Sequence, residues 1–285
     1  MDIAVVGAGR VGTAVAVLLS RAGHRLVAVA GGASTPDRAA TYLPGVPVRT
    51  ADEAAARADL VIVGTPDDAV EATAAAIAAA VAPTTWVAHL SGALGLDVLA
   101  PAVRAGARRL AIHPLQSVPD VETALVRIPG SSIAVTAEHD EGWALGGRLA
   151  VDLGGRPLRL ADQHRALYHA AAVFASNHLV TTSAAAEALL RAAGVPDPDA
   201  ALAPLRRASL ENVERLGAER ALTGPVVRGD AGTIRRNLEA LKQEAPELIP
   251  AYVGMARAAL DLADRAGRLA TGARASVEDV LAEWS

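Results

Sequence analysis

The sequence contains no cysteine, which excludes disulfides, thiolate metal sites and cysteine nucleophiles. Aromatic residues make up only 2% of the 285 residues, so we expect the helices to pack closely through small side chains, alanine above all. Lysine occurs once, as Lys242, and arginine supplies every other permanently cationic side chain. A reaction that needs an amine therefore has a single candidate side chain.

Neither sign of charge dominates. The formal net charge is −4 and no basic run is present, so we expect no nucleic-acid partner. Arg, Asp or Gly interrupts the apolar stretches before they reach about 18 residues, so we expect no membrane span. The seven histidines show no metal-ligand spacing supported by carboxylates, and we expect no metal. Because a strand pattern begins at the N-terminus and leaves no room for a signal peptide, we expect a soluble, cytoplasmic protein.

A glycine-rich turn follows the first apolar run. Residues 1–6 read Met-Asp-Ile-Ala-Val-Val and lead directly into Gly7-Ala8-Gly9-Arg10-Val11-Gly12. Gly7 permits a tight turn, Gly9 lets a pyrophosphate approach the backbone, and Gly12 allows close packing of helix on strand. The first turn of the next helix, with Arg10 and Val11, would direct its free N–H groups toward that pyrophosphate. Glycines also serve ordinary turns, but the strand before and the helix after favour dinucleotide binding.

The end of the second predicted strand, Arg25–Ala30, distinguishes NAD from NADP. An NAD enzyme usually carries an acidic residue there for the ribose 2′-hydroxyl, whereas this chain continues Gly31-Gly32-Ala33-Ser34-Thr35-Pro36-Asp37-Arg38. The hydroxyls of Ser34 and Thr35 and the guanidinium of Arg38 suit a 2′-phosphate, with Arg10 on the other side. Alternatively, Arg38 is a solvated charge on the next helix. We expect NADP as the cofactor.

Strand and helix patterns alternate up to about residue 160, which indicates an α/β fold with a doubly wound Rossmann-like parallel sheet. The later strands are predicted near 46–49, 59–63, 85–90, 109–112, 131–136 and 157–160. From Asp162 a helical stretch runs unbroken to Ala193, and further helices are predicted at 197–219, 230–244, 247–266 and 276–284. The last begins at Ser276 with an acidic variant of the capping box. We therefore expect two domains, the sheet domain at 1–160 and an all-helical domain at 161–285.

Candidate reactive residues come directly after the strands, because ligands bind outside the carboxyl ends of the strands in open α/β sheets. These candidates are Thr65, Pro66, Ser91, His113, Gln116 and Ser117. Thr65 and Pro66 would line the cofactor, and Ser91 and His113 fall where its nicotinamide should lie. A histidine titrates near neutrality and can donate a proton to a carbonyl oxygen that receives hydride. A histidine at a strand end is alternatively a structural hydrogen-bonding group, and for His89, within a strand run, we favour a core position with satisfied hydrogen bonds.

The long helix carries a polar stripe among small apolar residues. Arg165, His169 and Ser176 share one face, and Asn177 lies beside Ser176. The stripe is either a polar domain or subunit interface, or it closes the site, with His169 and Asn177 over the substrate and Asn177 bonded to its reacting oxygen.

A second polar segment, Leu222–Asp230, reads Leu-Thr-Gly-Pro-Val-Val-Arg-Gly-Asp. It is either a plain turn between helices or, through Arg228 and backbone N–H groups, a ligand for a substrate carboxylate.

The motifs together resemble one family, in which a Rossmann-like NADP-binding domain precedes a helical domain of unknown function, DUF2520. The matching segments are Gly7–Gly12, Thr65–Asp67, His89–Ala93, His113–Ser117, Tyr168–Ala172 with Ser176–Asn177, and Leu222–Pro225 with Arg228–Asp230. The chain departs from the family at Gly31-Gly32-Ala33, where relatives tend to carry a Ser/Arg phosphate pocket. The family is similar to the 6-phosphogluconate dehydrogenase-like superfamily. The resemblance implies pairing into a homodimer through the helical domains and, for some members, the role of a second class of ketopantoate reductase.

We therefore predict an NADPH-dependent reductase of a small 2-keto acid, with 2-dehydropantoate as the favoured substrate. His113 would protonate the alkoxide, Ser91 and Asn177 would orient it, and Arg228 would hold the carboxylate. His169 is the other available proton donor, because the long helix contains no lysine. Two alternatives are a prephenate- or 3-hydroxyacid-type dehydrogenase and a non-catalytic dinucleotide-binding protein.

Overall fold

The computed structural model describes residues 1–284. Two compact units divide between Asn177 and His178, and each is described by itself. The first unit contains the whole sheet and the start of the long helix. The predicted boundary at 160/161 remains a prediction; the contacts of the chain group residues 161–177 with the sheet.

The sheet has seven strands within the described residues, in the order β2-β1-β3-β4-β5-β6-β7. They are β1 (Asp2–Val6), β2 (Arg25–Ala30), β3 (Leu60–Val63), β4 (Trp86–His89), β5 (Arg108–Pro114), β6 (Ser132–Ala137) and β7 (Arg156–Arg159). The strands β1 to β5 are parallel, β6 is antiparallel to β5, and β7 is parallel to β6. The predicted α/β fold is confirmed, with the last two strands reversed.

Helices cover both faces of this sheet. They are α1 (Arg10–Arg21), α2 (Thr35–Tyr42), α3 (Ala51–Ala55), α4 (Val70–Ile77), α5 (Ala100–Arg104), α6 (Val121–Arg127), α7 (Asp140–Asp152) and α8 (Arg165–Val173). Side chains alternate along each strand, so Ile3 and Val5 of β1 join the core under α1, α6 and α7. Ala4 and Val6 join the core on the opposite face, under α3, α4 and α5. Burial on both faces explains why the central strands read as continuous apolar runs.

From β1 the chain first adds β2 on one side and then returns to add β3 on the other side of β1. The sheet therefore has a topological switch point between β1 and β3. At such a switch point the loops after neighbouring strands leave on opposite faces, which opens a crevice at the carboxyl ends. The glycine loop after β1 and the Gly64–Pro66 segment after β3 therefore flank the natural ligand position of the sheet.

The second unit is helical. Its helices are α9 (Leu179–Ala192), α10 (Pro198–Leu216), α11 (Ala218–Ala221), α12 (Pro225–Arg228), α13 (Ala231–Glu244), α14 (Ile249–Arg265) and α15 (Ala273–Ala282). Nine buried residues from α12 to α15 form a core. In contrast, α9 has no buried residue, and Pro198 is the buried residue of α10.

Two local predictions are wrong, and a third, the long helix, is unbroken as predicted but irregular within. The predicted strand at 46–49 is a single bridge between Val48 and Val29, because the segment meets only the edge strand β2. The capping box at Ser276 is absent, since α15 already begins after Gly272 and the Ser276 hydroxyl donates within the helix to the Gly272 carbonyl. The long helix is not uniform: a π-helical turn at Phe174–His178 separates α8 from α9. A π turn adds a residue and shifts the later side chains by about 100° around the axis.

Candidate active site

The glycine loop is packed directly against the end of β3. Gly7 has φ +95, and a Cβ there would lie 2.4 Å from the backbone nitrogen of Thr65. A Cβ on Gly12 would lie 2.4 Å from the Gly7 carbonyl oxygen. Both glycines are therefore required by the protein itself. A Cβ on Gly9 would have its nearest neighbouring atom 4.0 Å away, so the missing side chain leaves space outside the backbone, as a bound pyrophosphate would need.

Arg38 lies across the tip of β2 and contacts the glycine loop. Its guanidinium donates to the Ala8 carbonyl at 2.5 Å and to the Ser34 hydroxyl at 3.0 Å. Ser34 is exposed, whereas Thr35 is buried, with its hydroxyl turned beneath Gly31. Arg10 donates to the Pro119 carbonyl at 3.1 Å. An exposed hydroxyl and an anchored guanidinium thus lie side by side at the tip of β2.

A cleft of about 190 Å³ runs along the carboxyl ends of β3, β4 and β5. It is lined by Val11, Gly64, Thr65, Asp67, Leu90, Ser91, His113, Pro114, Gln116 and Val118. The lining thus includes both Val11, from the segment Gly7–Gly12, and His113. Five of the residues predicted from their positions after strands line this one cleft: Val11, Thr65, Ser91, His113 and Gln116. Pro66 and Ser117 are exposed; each follows a lining residue in the sequence but does not itself line the cleft.

His113 is the penultimate residue of β5 and pairs with Ala134 of β6. Its Nδ1 lies 2.8 Å from the Tyr168 hydroxyl, and the two rings meet edge to face at 89°. Burial lowers the pKa of His113 to about 4, and the nearby charges of Arg165 and His169 act in the same direction. Burial also raises the pKa of Tyr168 to about 12. At neutral pH the pair is therefore an imidazole and a phenol, both uncharged.

The other ring nitrogen of His113 faces Gly92. A Cβ on Gly92 would lie 2.9 Å from His113 Nε2 and 2.8 Å from His169 Nδ1. Glycine at this position therefore lets both imidazoles approach the backbone after β4. His169 Nδ1 is buried and has no hydrogen-bond partner within the described chain.

Arg165 anchors the loop between β4 and α5. The side chain is 1% exposed. It donates to the carbonyls of Ser91 and Leu94 and, at 2.9 Å, to the Thr136 hydroxyl. Burial lowers the pKa of Arg165, and the carboxylate of Asp162 opposes that shift. A guanidinium remains cationic in proteins, so the site contains one buried positive charge.

Two polar side chains lie around the end of β4: His89 is its last residue, and Ser91 lies in the loop after it. The Ser91 oxygen accepts from the Ala93 and Leu94 N–H groups at 3.2 and 3.1 Å, so it shapes the turn as well as lining the cleft. His89 is fully buried as predicted, and neither ring nitrogen makes a hydrogen bond of good geometry within residues 1–284, although the Gly95 backbone opposes the fall in the pKa of His89. Burial, together with the charge of Arg165, lowers the pKa of His89 to about 3.

The remaining predicted residues lie apart in the chain. Asn177 falls in the π-helical turn, about 12 Å along the helix from His169. Arg228 is the exposed last residue of α12 in the second unit.

Within the described part of the chain, no group of three His, Asp or Glu side chains could hold a metal ion. In the same part, no helix is both long and apolar enough to cross a membrane.

The sequence predicted Arg165 in the polar stripe of the long helix, but no individual role in the site for Arg165 or Tyr168. Their spacing carried a usable signal, since residues three and four apart share a helix face and His169 was already a candidate on that face. The role of Gly92 had no such signal, because the sequence does not reveal which side chains converge on a backbone position.

Three comparisons with known proteins bear on this arrangement. A crystal structure of a candidate NADP oxidoreductase from Bacteroides fragilis is 24% identical, with a TM-score of 0.75, over 91% of this chain and 98% of that one. A Thermotoga maritima protein is 19% identical, with a TM-score of 0.70, over 93% and 100% of the two chains. A reductive aminase from Aspergillus terreus, in complex with NADPH and ethyl levulinate, is 19% identical with a TM-score of 0.67, over 98% of each chain. These similarities show the fold.

Comparison with curated proteins finds no match. Family models match two parts of the chain: a Rossmann-like domain at residues 1–114 and DUF2520, a domain of unknown function, at residues 131–259. The resemblance predicted from the motifs is therefore confirmed, and the chain combines a Rossmann-like domain with a DUF2520 domain.

Proposed function

We propose that the protein is an NADP-dependent oxidoreductase that reduces the ketone of a small 2-keto acid, with 2-dehydropantoate as the favoured substrate. The observation that carries this proposal is the single cleft that joins the glycine loop to His113. A dinucleotide laid along the loop would end with its reactive ring at the opposite, histidine end of that cleft.

The residues present fit NADP. The open space outside Gly9 and the N-terminus of α1 suit a pyrophosphate. Arg38 and Ser34 suit the 2′-phosphate, because a guanidinium held by the Ala8 carbonyl keeps further N–H groups free to donate. Thr65 lines the cleft between these groups and His113. When bound, NADPH would supply a hydride.

The electrostatics of the histidine end favour a carbonyl over an iminium substrate. Hydride addition to a carbonyl develops negative charge on oxygen, which positive charges and N–H donors stabilise. Arg165 places a buried guanidinium near His113, and the partner of His113 is the neutral Tyr168. An iminium would instead bring a second cation to that charge. Asp67, the carboxylate that lines the cleft, is exposed.

We propose that His113 acts as a neutral hydrogen-bond donor to the ketone oxygen and that the alkoxide formed by hydride addition takes its proton from water, in place of the expectation that His113 itself donates that proton. Because burial lowers its pKa to about 4, an imidazolium is scarce at pH 7, and the imidazole N–H polarises the carbonyl, as neutral histidines do in other enzymes. His169 and Ser91 complete the oxygen site. Asn177, Gln116 and Ser117 are proposed to orient the substrate, and Arg228 is proposed as the ligand of its carboxylate.

We also propose that the protein forms a homodimer through its helical unit. The support is that α9 lacks any buried residue and α10 has only Pro198, although both carry large apolar side chains. Val180 and Leu205, for example, are 67% and 64% exposed.

The test is an NADPH oxidation assay on the purified protein with millimolar 2-dehydropantoate, other 2-keto acids, and a cyclic imine. We expect oxidation with one or more keto acids, a lower rate with NADH, and loss of activity in His113→Ala. Turnover of the imine alone would contradict the substrate class. Oxidation of prephenate or 3-hydroxyacids with NADP, without keto-acid reduction, would favour the dehydrogenase alternative. NADPH binding without any turnover would favour the non-catalytic one.

A further inference from the structure

A neutral histidine carries its proton on one of two nitrogens, and the choice decides what it can do. His113 presents Nε2 toward Gly92 and Nδ1 toward Tyr168. Only a proton on Nε2 would make His113 a donor on the Gly92 side, opposite Tyr168. The contact at Nδ1 therefore determines the chemistry at the opposite nitrogen.

The Tyr168 hydroxyl lies 2.8 Å from His113 Nδ1. Within the described residues, the Tyr168 hydroxyl makes no other hydrogen bond. Tyr168 is partly buried and its pKa is raised to about 12, so the hydroxyl retains its proton and needs an acceptor. If Nδ1 carried the imidazole proton, that proton would bond the phenol oxygen and leave the phenol O–H without an acceptor in the chain. If Nδ1 is bare, the phenol O–H is satisfied, and the donor left without a partner in the chain is the Nε2–H of His113, a residue that lines the cleft and can offer that proton to a ligand.

The groups facing this pair do not reverse the choice. Arg165 is a donor, and three of its five N–H groups bond to Ser91, Leu94 and Thr136. His169 approaches on the Gly92 side, where its Nδ1 has no partner. His89 is buried and neutral. Within the described residues, none of these groups makes a hydrogen bond to His113 Nδ1, whose partner is the Tyr168 hydroxyl at 2.8 Å.

We propose that Tyr168 is a positioning residue for His113: its hydroxyl donates to Nδ1 and keeps the imidazole proton on Nε2, which faces Gly92. In the reaction, this tautomer makes His113 Nε2–H the donor to the substrate oxygen, and that consequence rests on the proposed function. The tautomer itself does not rest on it and is measurable without any substrate.

The first experiment is 15N NMR of the histidine side chains in the full-length protein at pH 7.5, with the His113 signals assigned by their loss in His113→Gln. We expect a pyridine-type Nδ1 and a pyrrole-type Nε2 in the wild type. In Tyr168→Phe, which keeps the ring, we expect averaged shifts that indicate a mixture of tautomers. The control is Tyr252→Phe, which removes a hydroxyl bonded to Asn237 in the second unit. A proton on Nδ1 in the wild type, or an unchanged tautomer in Tyr168→Phe, would overturn the proposal.

The second experiment compares kcat and KM for the keto acid and NADPH that the activity assay identifies. Tyr168→Phe should lower kcat roughly tenfold, the worth of one good hydrogen bond, with both KM values within about twofold of the wild type and no change in Tyr252→Phe. A raised KM with unchanged kcat would assign Tyr168 to substrate binding and reject the positioning role. If no keto acid is reduced by the wild type, the proposed function fails, and the NMR result still decides the tautomer.

Discussion

His113 and His89 are held as neutral imidazoles inside the sheet unit, with pKa values lowered to about 4 and about 3. An unfolded chain protonates both near pH 6.5. Between about pH 6.5 and 4 the unfolded state therefore binds protons that the folded state does not, so stability is lost as the pH falls through that window. Each imidazole contributes up to about 1.4 kcal/mol per pH unit to this slope.

We accordingly expect His113→Gln to flatten the fall in the free energy of unfolding between pH 6.5 and 4.5, measured by urea denaturation at several pH values. The matched control is His139→Gln, which removes an exposed imidazole at the start of α7 and should leave the slope unchanged. An equal slope in wild type and His113→Gln would contradict the lowered pKa of His113.

A second residue-scale prediction concerns the choice between NADPH and NADH. Arg38→Ala removes the guanidinium anchored on Ala8 and Ser34, so the KM or Kd for NADPH should rise roughly tenfold or more, as expected for a lost charge-assisted hydrogen bond. The value for NADH should change little. Arg104→Ala, at the exposed end of α5, is the control. Equal losses for both nucleotides would show that Arg38 acts on the loop rather than on the 2′-phosphate.

At the residue scale, the sequence predicted the positions that follow directly from the strand-end rule. His113 and Ser91 come after neighbouring parallel strands, and the rule therefore brings them to one cleft. The sequence did not predict the contact of His113 with Tyr168, nor the burial of Arg165 under the loop after β4. Both depend on how α8 lies on the sheet, which local patterns do not determine.

At the scale of elements, the loops after β1 and β3 meet through backbone contacts rather than side chains. A methyl group at Gly7 would overlap Thr65 and would also place a side chain at φ +95. We expect Gly7→Ala to lose NADPH binding in a fluorescence titration and to destabilise the fold by more than the roughly 1–3 kcal/mol of backbone strain alone.

The matched control for that variant is Gly23→Ala. Gly23 has the same φ of +95, but no atom lies within 4 Å of its Cβ position. It should therefore show the strain without the overlap and retain NADPH binding. Equal stability and equal nucleotide affinity in the two variants would show that the contact between the loops is unimportant.

The π-helical turn was outside the reach of sequence patterns. Residues 174–178 read Phe-Ala-Ser-Asn-His, without the proline or glycine that usually marks a helix irregularity. The polar stripe inferred for a uniform helix holds for Arg165 and His169, and Ser176, although it lies inside the turn, is half-buried like His169. Such turns are frequent at functional sites, which supports the proposed role of Asn177.

At the scale of the whole molecule, the predicted order of a sheet followed by helices is confirmed, because the change from alternating patterns to helical patterns is strong in the sequence. The division of the chain is less predictable. The compact units separate at Asn177/His178, inside a continuous helical stretch, where no break in the sequence marks a change.

The proposed dimer gives a further prediction. Leu205→Glu in α10, alone or with Val180→Glu in α9, should convert the protein to a monomer in light scattering, because each change puts a charge on an apolar surface that a second copy would cover. Val126→Glu is the control, since Val126 of α6 is 77% exposed and lies outside the helical unit. A wild-type monomer at micromolar concentration would refute the proposal.

The outer strand of the sheet limits how copies of this chain can associate. All four residues of β7 are exposed, and they read Arg-Pro-Leu-Arg. Pro157 offers no N–H for another strand, and the guanidiniums of Arg156 and Arg159 repel a second copy of the same edge. Growth of the sheet from one molecule into the next is thereby blocked on that side. At high concentration the folded protein should resist fibrous aggregation there, and crowded solutions should contain closed assemblies rather than chains of linked sheets.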